Sequence, residues 1–204
     1  MRSLDQLIKK AQELKARGLT TQEISEELKV QTDTVVWLLL RGKERLRRPA
    51  PIDLFVDWSR IGSSVRRLSL AGWALADLAR ESVRGKEFEQ PEVVVAIEGS
   101  GMVLGMAVAE ELEKPFAVVR PQRVADKKLS GAINPSFASV DNKRALIVDV
   151  VLMEGETVKA AVQTVRSVRA KPVGIVVLVN KSSQDNVDGV PLRSLIQLLA
   201  VAKA

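Results

Sequence analysis

The chain has 204 residues, a formal net charge of +6, and neither cysteine nor histidine. A chain without cysteine forms no disulfide or thiolate metal site, and one without histidine lacks the commonest catalytic base and metal ligand. Any catalysis would use carboxylates, lysines, hydroxyls or Mg²⁺. The longest apolar runs fall short of the roughly 20 residues that span a bilayer, and the polar start is unlike a signal peptide. We therefore expect a cytoplasmic protein without a membrane partner.

The excess positive charge lies in one short segment. Basic and acidic residues balance over residues 1–40, whereas the next eight residues read RGKERLRR. This basic cluster comprises Arg41, Lys43, Arg45, Arg47 and Arg48. Such a cluster can contact the phosphate backbone of DNA; the alternative is a solvated linker.

The first 40 residues predict three short helices. Apolar residues recur at helical spacing in the first helix, at Leu4, Leu7, Ile8, Ala11 and Leu14. Thr20 and Glu23 form a capping-box pattern that opens a second helix. After a brief turn at 29–31, a third helix contains Val35, Val36, Leu38 and Leu39. The small Ser25 lets the second and third helices cross closely.

These features predict a helix-turn-helix, and the segment GLTTQEISEELKVQTDTVVWLL resembles that of many prokaryotic regulators. Gln31, Thr32 and Thr34 then lie at the start of the recognition helix, which meets base edges. Asp33 would repel phosphate, so we expect affinity to come from the basic cluster. A small helical dimerisation or lid module is the alternative, and Trp37 fits core packing or an interface.

The pattern changes after Pro49-Ala50-Pro51, which predicts domains at 1–48 and 49–204. A long amphipathic helix covers about 63–83, followed by alternating strands and helices. The predicted strands are Val93–Ile97, Phe116–Val119, Ala145–Leu152 and Val173–Val179, and the predicted helices are 102–112 and 155–168. Residues 120–139 read as a long loop with a short hairpin. This succession predicts an α/β fold with a doubly wound parallel sheet.

Residues 53–200 resemble the type I phosphoribosyltransferases, in particular orotate phosphoribosyltransferase. The resemblance lies in VVVAIEGSGMVLGMAVAEEL, in KRALIVDVVLMEGETVKAAV, in the basic loop between them and in the late GVPLRSLIQL. With its helix-turn-helix, the whole chain resembles archaeal orotate-phosphoribosyltransferase-like transcriptional regulators. This resemblance implies a phosphoribosyltransferase-like parallel sheet flanked by helices, preceded by an all-α N-terminal domain.

The resemblance also implies a site for phosphoribosyl pyrophosphate (PRPP) with Mg²⁺. Enzymes of the family hold the ribose hydroxyls with two consecutive acids, of which Asp149 remains while Val150 replaces the second. The phosphate turn, residues 153–157, keeps Gly155 and Thr157 but contains Met153, Glu154 and Glu156. Two carboxylates near a phosphate oppose its binding, at about 1 kcal/mol each in water, unless they point to solvent. Helix starts favour acids in any case.

Three further segments follow from the resemblance. Gly99, Ser100 and Gly101 correspond to the pyrophosphate loop, and Arg193 lies in the segment that shapes the base pocket. The mobile catalytic loop corresponds to Arg120, Arg123, Lys127 and Lys128, although a solvated loop explains those charges equally.

Together these patterns predict a DNA-binding transcriptional regulator that forms a homodimer on double-stranded DNA. Its second domain would sense a small anionic effector (a nucleotide, PRPP or a sugar phosphate) and would have lost catalysis, leaving Asp149, Lys127 and Lys128 vestigial. No cofactor is expected, with Mg²⁺ present only if PRPP binds. The alternatives are an active orotate- or purine-type phosphoribosyltransferase and a scaffold without a DNA role.

Overall fold

The computed structural model describes residues 4–41, 53–123 and 129–199. The chain divides into two compact units, Met1–Arg60 and Ile61–Ala204. This boundary falls later than the predicted one at 48, because Phe55 packs against the core of the first unit. Among the described residues, no helix is both long and apolar enough to cross a membrane.

The first unit contains three helices, α1 (Leu4–Ala16), α2 (Thr21–Leu28) and α3 (Thr32–Arg41). The predicted capping box is present: the Thr20 hydroxyl accepts a bond from the Glu23 amide at 3.2 Å, and the Glu23 carboxylate accepts one from the Thr20 amide at 2.7 Å. Helix α2 ends at Lys29, whose φ of 55° reverses the chain toward α3.

The core of the first unit lies between these helices. It consists of Leu7, Ala11, Leu14, Ile24, Leu28, Val30, Val35, Trp37 and Leu38. The hydroxyl of buried Ser25 donates to the Val30 carbonyl at 2.6 Å, so this small residue also fixes the turn between α2 and α3. Trp37 belongs to the core, whereas Val36 is exposed.

The second unit is an α/β domain preceded by a short helix. Helix α4 (Ser59–Gly62) crosses the unit boundary, and α5 (Val65–Arg84) begins at the N-cap Ser64. The later elements are β1 (Val93–Ile97), α6 (Ser100–Leu112), β2 (Phe116–Arg123), β3 (Leu129–Ile133), β4 (Arg144–Leu152), α7 (Glu156–Ser167), β5 (Lys171–Asn180), β6 (Asn186–Val187) and β7 (Val190–Gln197). The predicted strands and helices are all present, with bounds shifted by a few residues.

The sheet has the order β3-β2-β1-β4-β5-β7-β6. Strands β2, β1, β4, β5 and β7 are parallel, and β3 and β6 pair antiparallel at the two edges. The predicted α/β class is confirmed, with a mixed rather than purely parallel sheet. The expected hairpin is formed by β2 and β3.

Helices cover both faces of this sheet. Helix α7 packs in one core with alternate strand residues such as Val95, Ile147 and Ile175. Helix α6 lies on the other face, where a Cβ at Gly105 would stand 2.5 Å from the Ala96 Cβ. Strand order reverses between β1 and β4, and open α/β sheets bind ligands beyond the carboxyl ends of the strands at such a point.

Candidate functional site

The outward face of α3 begins with residues that the sequence predicts to contact DNA. Gln31, Thr32 and Asp33 are exposed at its start. Val36 and Leu40 follow Thr32 at intervals of four, so the three share one face, with Val36 42% exposed. The sequence pattern assigned Val36 to the apolar set of α3; it lies outside because Val35 and Leu38 already fill the core side.

The start of α3 is held by Asp53, an acidic residue that follows the basic cluster in the sequence. One carboxylate oxygen of Asp53 accepts the Gln31 amide at 2.7 Å and the Thr34 hydroxyl at 2.9 Å. Thr34 is therefore half-buried, with its hydroxyl bonded inside the unit, while Thr32 stays exposed. Asp53 thus acts as a cap at the start of α3, and its separation in sequence hides this role from local patterns.

We expect Asp53→Ala to destabilise the first unit by about 1–3 kcal/mol, because it leaves the Gln31 amide and the Thr34 hydroxyl without their acceptor. The change should lower the thermal midpoint of the first unit in calorimetry. Asp33→Ala, which removes an exposed acid from the first turn of α3, is the matched control and should lower that midpoint much less, because an exposed carboxylate at a helix start contributes only about 0.3–1 kcal/mol. Equal midpoints for the two variants would contradict the capping role.

The basic cluster follows α3 directly. Arg41 is the last residue of α3, and its side chain is not among those described. Lys43, Arg45, Arg47 and Arg48 lie outside the described residues. Their part in DNA contact therefore stays a prediction.

At the carboxyl edge of the sheet, the loop after β1 lies against the end of β4. A Cβ at Gly101 would stand 3.0 Å from Asp149 Oδ1 and 3.2 Å from the Val148 carbonyl oxygen, so only glycine fits closely here. Gly99 has a φ of 99°, which likewise favours glycine. The structure thus brings Gly101 against Asp149, while the ligand-binding role of Gly99, Ser100 and Gly101 stays a prediction.

Asp149 itself is buried, with 3% of its surface exposed. Its Oδ1 accepts the amide of Val150 at 2.7 Å. The Val150 side chain is fully buried in the domain. The second acid of the PRPP site therefore falls on a core position, and the residues present do not fit the paired-carboxylate cradle for ribose hydroxyls.

The predicted phosphate turn precedes α7 and carries two exposed acids. Gly155 has a φ of 86° and precedes α7, so the amide groups at the start of that helix remain. Thr157 is half-buried beside it, whereas Glu154 and Glu156 are exposed. The side-chain oxygen of Gln184 lies 3.1 Å from where a Gly155 Cβ would be. Sequence patterns gave no indication of this neighbour, which comes from the loop after β5.

The two described cations assigned to the site both form ion pairs. Arg120 makes a two-pronged bond to Glu98 at 2.7 and 2.8 Å, and this raises the pKa of the guanidinium. Arg193 bonds Glu87 at 2.8 Å, which lowers the pKa of that carboxyl and raises that of Arg193. In both pairs the positive charge of the arginine is balanced by a carboxylate, so less of it is left to attract an anionic ligand.

Arg120 and Arg193 differ in their positions. Glu98 directly follows β1, so Arg120 lies at the ligand edge. Arg193 pairs in register with Val176 in the middle of β5, and its partner Glu87 follows α5. The assignment of Arg193 to a base pocket stays a prediction. Arg123 has no described side chain, and Lys127 and Lys128 lie outside the described residues.

The sequence matches the phosphoribosyl transferase domain family over residues 64–195. At full length it is 38% identical to a Methanosarcina mazei protein named Transcriptional regulator GfcR, covering 98% of this chain and 100% of the relative. A Methanocaldococcus jannaschii protein with the same name is 36% identical, covering 96% of this chain and 94% of the relative.

Solved structures share the fold of the second unit. Adenine phosphoribosyltransferase from Rhodothermus marinus superposes with a TM-score of 0.56 at 23% identity, covering 74% of this chain and 90% of that one. Orotate phosphoribosyltransferase from Mycobacterium tuberculosis gives a TM-score of 0.52 at 22% identity, covering 71% and 78%. At such identities the likeness concerns architecture.

Proposed function

Because the chain belongs to the phosphoribosyl transferase domain family and, over its full length, to the archaeal GfcR transcriptional regulators, we propose that it is a DNA-binding regulator of transcription. The first unit binds double-stranded DNA, and the second serves as the effector and dimerisation domain. We place the protein in the cytoplasm.

The observation that carries this proposal is the exposed face of α3. A helix whose inner side completes a three-helix core and whose outer side presents Thr32 and Val36 has the form that enters a major groove. The threonine hydroxyl can bond base edges, and a valine side chain or threonine methyl can contact the methyl group of thymine. Gln31 adds a bidentate amide at the helix start.

We propose that the second unit binds a small effector without transferring a phosphoribosyl group. Support comes from the core position of Val150, from the two glutamates in the phosphate turn and from the compensated charge of Arg120. The amides of the turn still attract an anion, so a nucleotide or sugar phosphate is the ligand class to test first. A homodimer would place two α3 helices on half-sites one DNA turn apart.

The test is DNA binding by the full chain, measured by fluorescence anisotropy on fragments selected from random duplexes. We expect replacement of Arg45, Arg47 and Arg48 by alanine to weaken binding to all sequences alike. Phosphate contacts position a protein on the duplex but do not distinguish one base sequence from another. For the proposed homodimer the slope of log K against log salt should fall by up to about 5.4, which corresponds to six released counterions, three per subunit.

The control replaces Lys9, Lys10 and Lys15 of α1 by alanine, which removes the same charge elsewhere in the first unit. It should change the salt slope less than the arginine variant does. Failure of the wild-type chain to enrich any duplex would contradict the proposed function. An unchanged slope in the arginine variant would remove only the basic cluster from the interface.

A further inference from the structure

Helices α5 and α6 expose a group of large apolar side chains. Trp73 is 43% exposed and Met106 is 58% exposed, and Leu70 and Val103 accompany them. A tryptophan left half-exposed among other apolar residues is characteristic of protein–protein contact surfaces.

The exposed residues lie on one side of the helix pair. Gly72 meets Ala107 where the helices cross, and Arg80 bonds Glu111 further along, so α5 and α6 run in the same direction. Trp73 follows Gly72, and Met106 precedes Ala107. In two parallel helices, a step of +100° on one and −100° on the other turns both residues to the same side. Gly105 of α6 faces the strand residue Ala96, whereas Trp73 and Met106 are exposed, so their side of the helix pair is not packed against the sheet.

The exposed stripe on α5 has the spacing of a helix–helix seam. Arg66, Leu70, Trp73 and Asp77 are all exposed and are separated by four, three and four residues. This is the heptad spacing of positions that meet a partner helix. The two charges at its ends are opposite in sign, and the two apolar residues lie between them.

That pattern is complementary to itself. In an antiparallel pair of α5 helices centred between residues 71 and 72, Leu70 lies against Trp73 of the partner subunit. The same register sets Arg66 against Asp77 of the partner subunit, and two-fold symmetry repeats both pairs. A closed two-fold contact requires the same patch on both subunits. An unrelated partner would not require this symmetry of charge and spacing.

We propose that a second copy of this chain docks on the stripe of Arg66, Leu70, Trp73 and Asp77, with α5 antiparallel to α5 of the partner subunit. Met106 and Val103 of α6 extend the apolar contact. This inference rests on the proposed homodimer and deepens it by assigning the interface.

The first test measures the dimer dissociation constant by analytical ultracentrifugation of the full chain. Trp73→Glu should raise this constant by about 30-fold or more, as expected for a central aromatic contact. Leu199→Glu is the matched control, since Leu199 is also a large exposed apolar residue, 71% exposed, but lies after β7. It should leave the constant unchanged. A dimer weakened by the Leu199 change and not by the Trp73 change would overturn the proposal.

The second test is a charge exchange, which does not alter the folded core. Arg66→Asp and Asp77→Arg should each raise the dissociation constant by about 10-fold, because each places like charges opposite one another twice per dimer. The double variant should return to within about threefold of wild type, since the pairs re-form with exchanged signs. Single variants without effect, or a double variant that adds the two defects, would overturn the antiparallel arrangement.

The wild-type mass separates the two proposals. A chain that sediments as a monomer at all concentrations contradicts the homodimer under the proposed function. A stable dimer indifferent to Trp73, Arg66 and Asp77 leaves the homodimer standing and overturns this interface.

Discussion

Val36→Asp is expected to reduce DNA affinity by about 100-fold while leaving the first unit folded. Val36 lies on the exposed face of α3, one turn beyond Thr32, so a carboxylate there loses an apolar contact with a base and adds charge beside the phosphates. Two such effects together amount to about 2–3 kcal/mol. Because the side chain is outside the core, circular dichroism and the thermal midpoint should be near those of the wild type.

The control for this variant is Leu4→Asp. Leu4 is an exposed apolar residue of α1 with 45% of its surface exposed, close to the fraction for Val36, and the substitution adds the same charge to the same unit. The DNA affinity of this variant should change by no more than about threefold, because dissolved salt screens the repulsion between a distant surface charge and the phosphates. Equal losses in both variants would mean that added charge alone weakens binding and that α3 does not read the bases.

A conservative change should separate contact from specificity. Val36→Ala keeps the helix and the charge but removes the branched methyl groups. The free-energy preference for the correct base pair at the position that Val36 contacts should therefore decrease by about 1 kcal/mol. Binding to unselected duplexes should stay the same, because phosphate contacts supply that affinity. Selection of duplexes with both proteins would reveal the position in the site at which preference is lost.

The sequence predicted the elements of both units because their signals are local. The capping box of Thr20 and Glu23, the apolar runs of β1 and β4 and the glycines after β1 are each contained within a few residues. What escaped prediction depends on residues distant in sequence. Asp53 caps α3, which begins 21 residues earlier, and Gln184 reaches the turn at Gly155 from the loop after β5.

Arg193 illustrates the same limit within the candidate site. Its place in a segment resembling a base pocket predicts a ligand contact, whereas its position beside Val176 in the register of β7 against β5 and its ion pair with Glu87 are seen only in the structure. Neither the strand pairing nor the ion pair can be read from neighbouring residues, because Glu87 precedes Arg193 by 106 positions. Val36 shows a different limit: an apolar residue on a predicted recognition helix can pack in the core or face outward, and its position around the helix decides which.

Restoring PRPP binding would involve two kinds of substitution. One returns an acid at Val150, and the other removes Glu154 and Glu156 from the turn. Val150 is fully buried, so an aspartate there would place an unpaired carboxylate in the core at a cost of several kcal/mol. The turn residues Glu154 and Glu156 are exposed and can be changed freely. Restoration should therefore begin at the turn and leave Val150 in place.

In calorimetric titration with PRPP and Mg²⁺, we expect no binding to the wild-type chain at millimolar ligand. The variant Met153→Thr, Glu154→Thr, Glu156→Gly should bind detectably, because it removes two carboxylates from the vicinity of the phosphate and returns a hydroxyl to the turn. At about 1 kcal/mol per carboxylate in water, and more in a drier cleft, the gain should be about 30-fold or greater. The backbone amides before α7, already shaped by Gly155, would then hold the phosphate.

The matched control makes the same two glutamate changes where no phosphate is expected. Glu81→Thr and Glu113→Gly alter the net charge equally, both residues are exposed, and Glu113 has a φ of 54° that glycine accommodates readily. If the control gains as much affinity as the turn variant, the effect is one of overall charge. Tight PRPP binding by the wild type would show instead that the glutamates turn away from the ligand, and the alternative of an active transferase would then have to be tested by turnover. Binding that appears only in the turn variant would establish that the fold keeps a working phosphate cradle whose charge, rather than its shape, excludes PRPP.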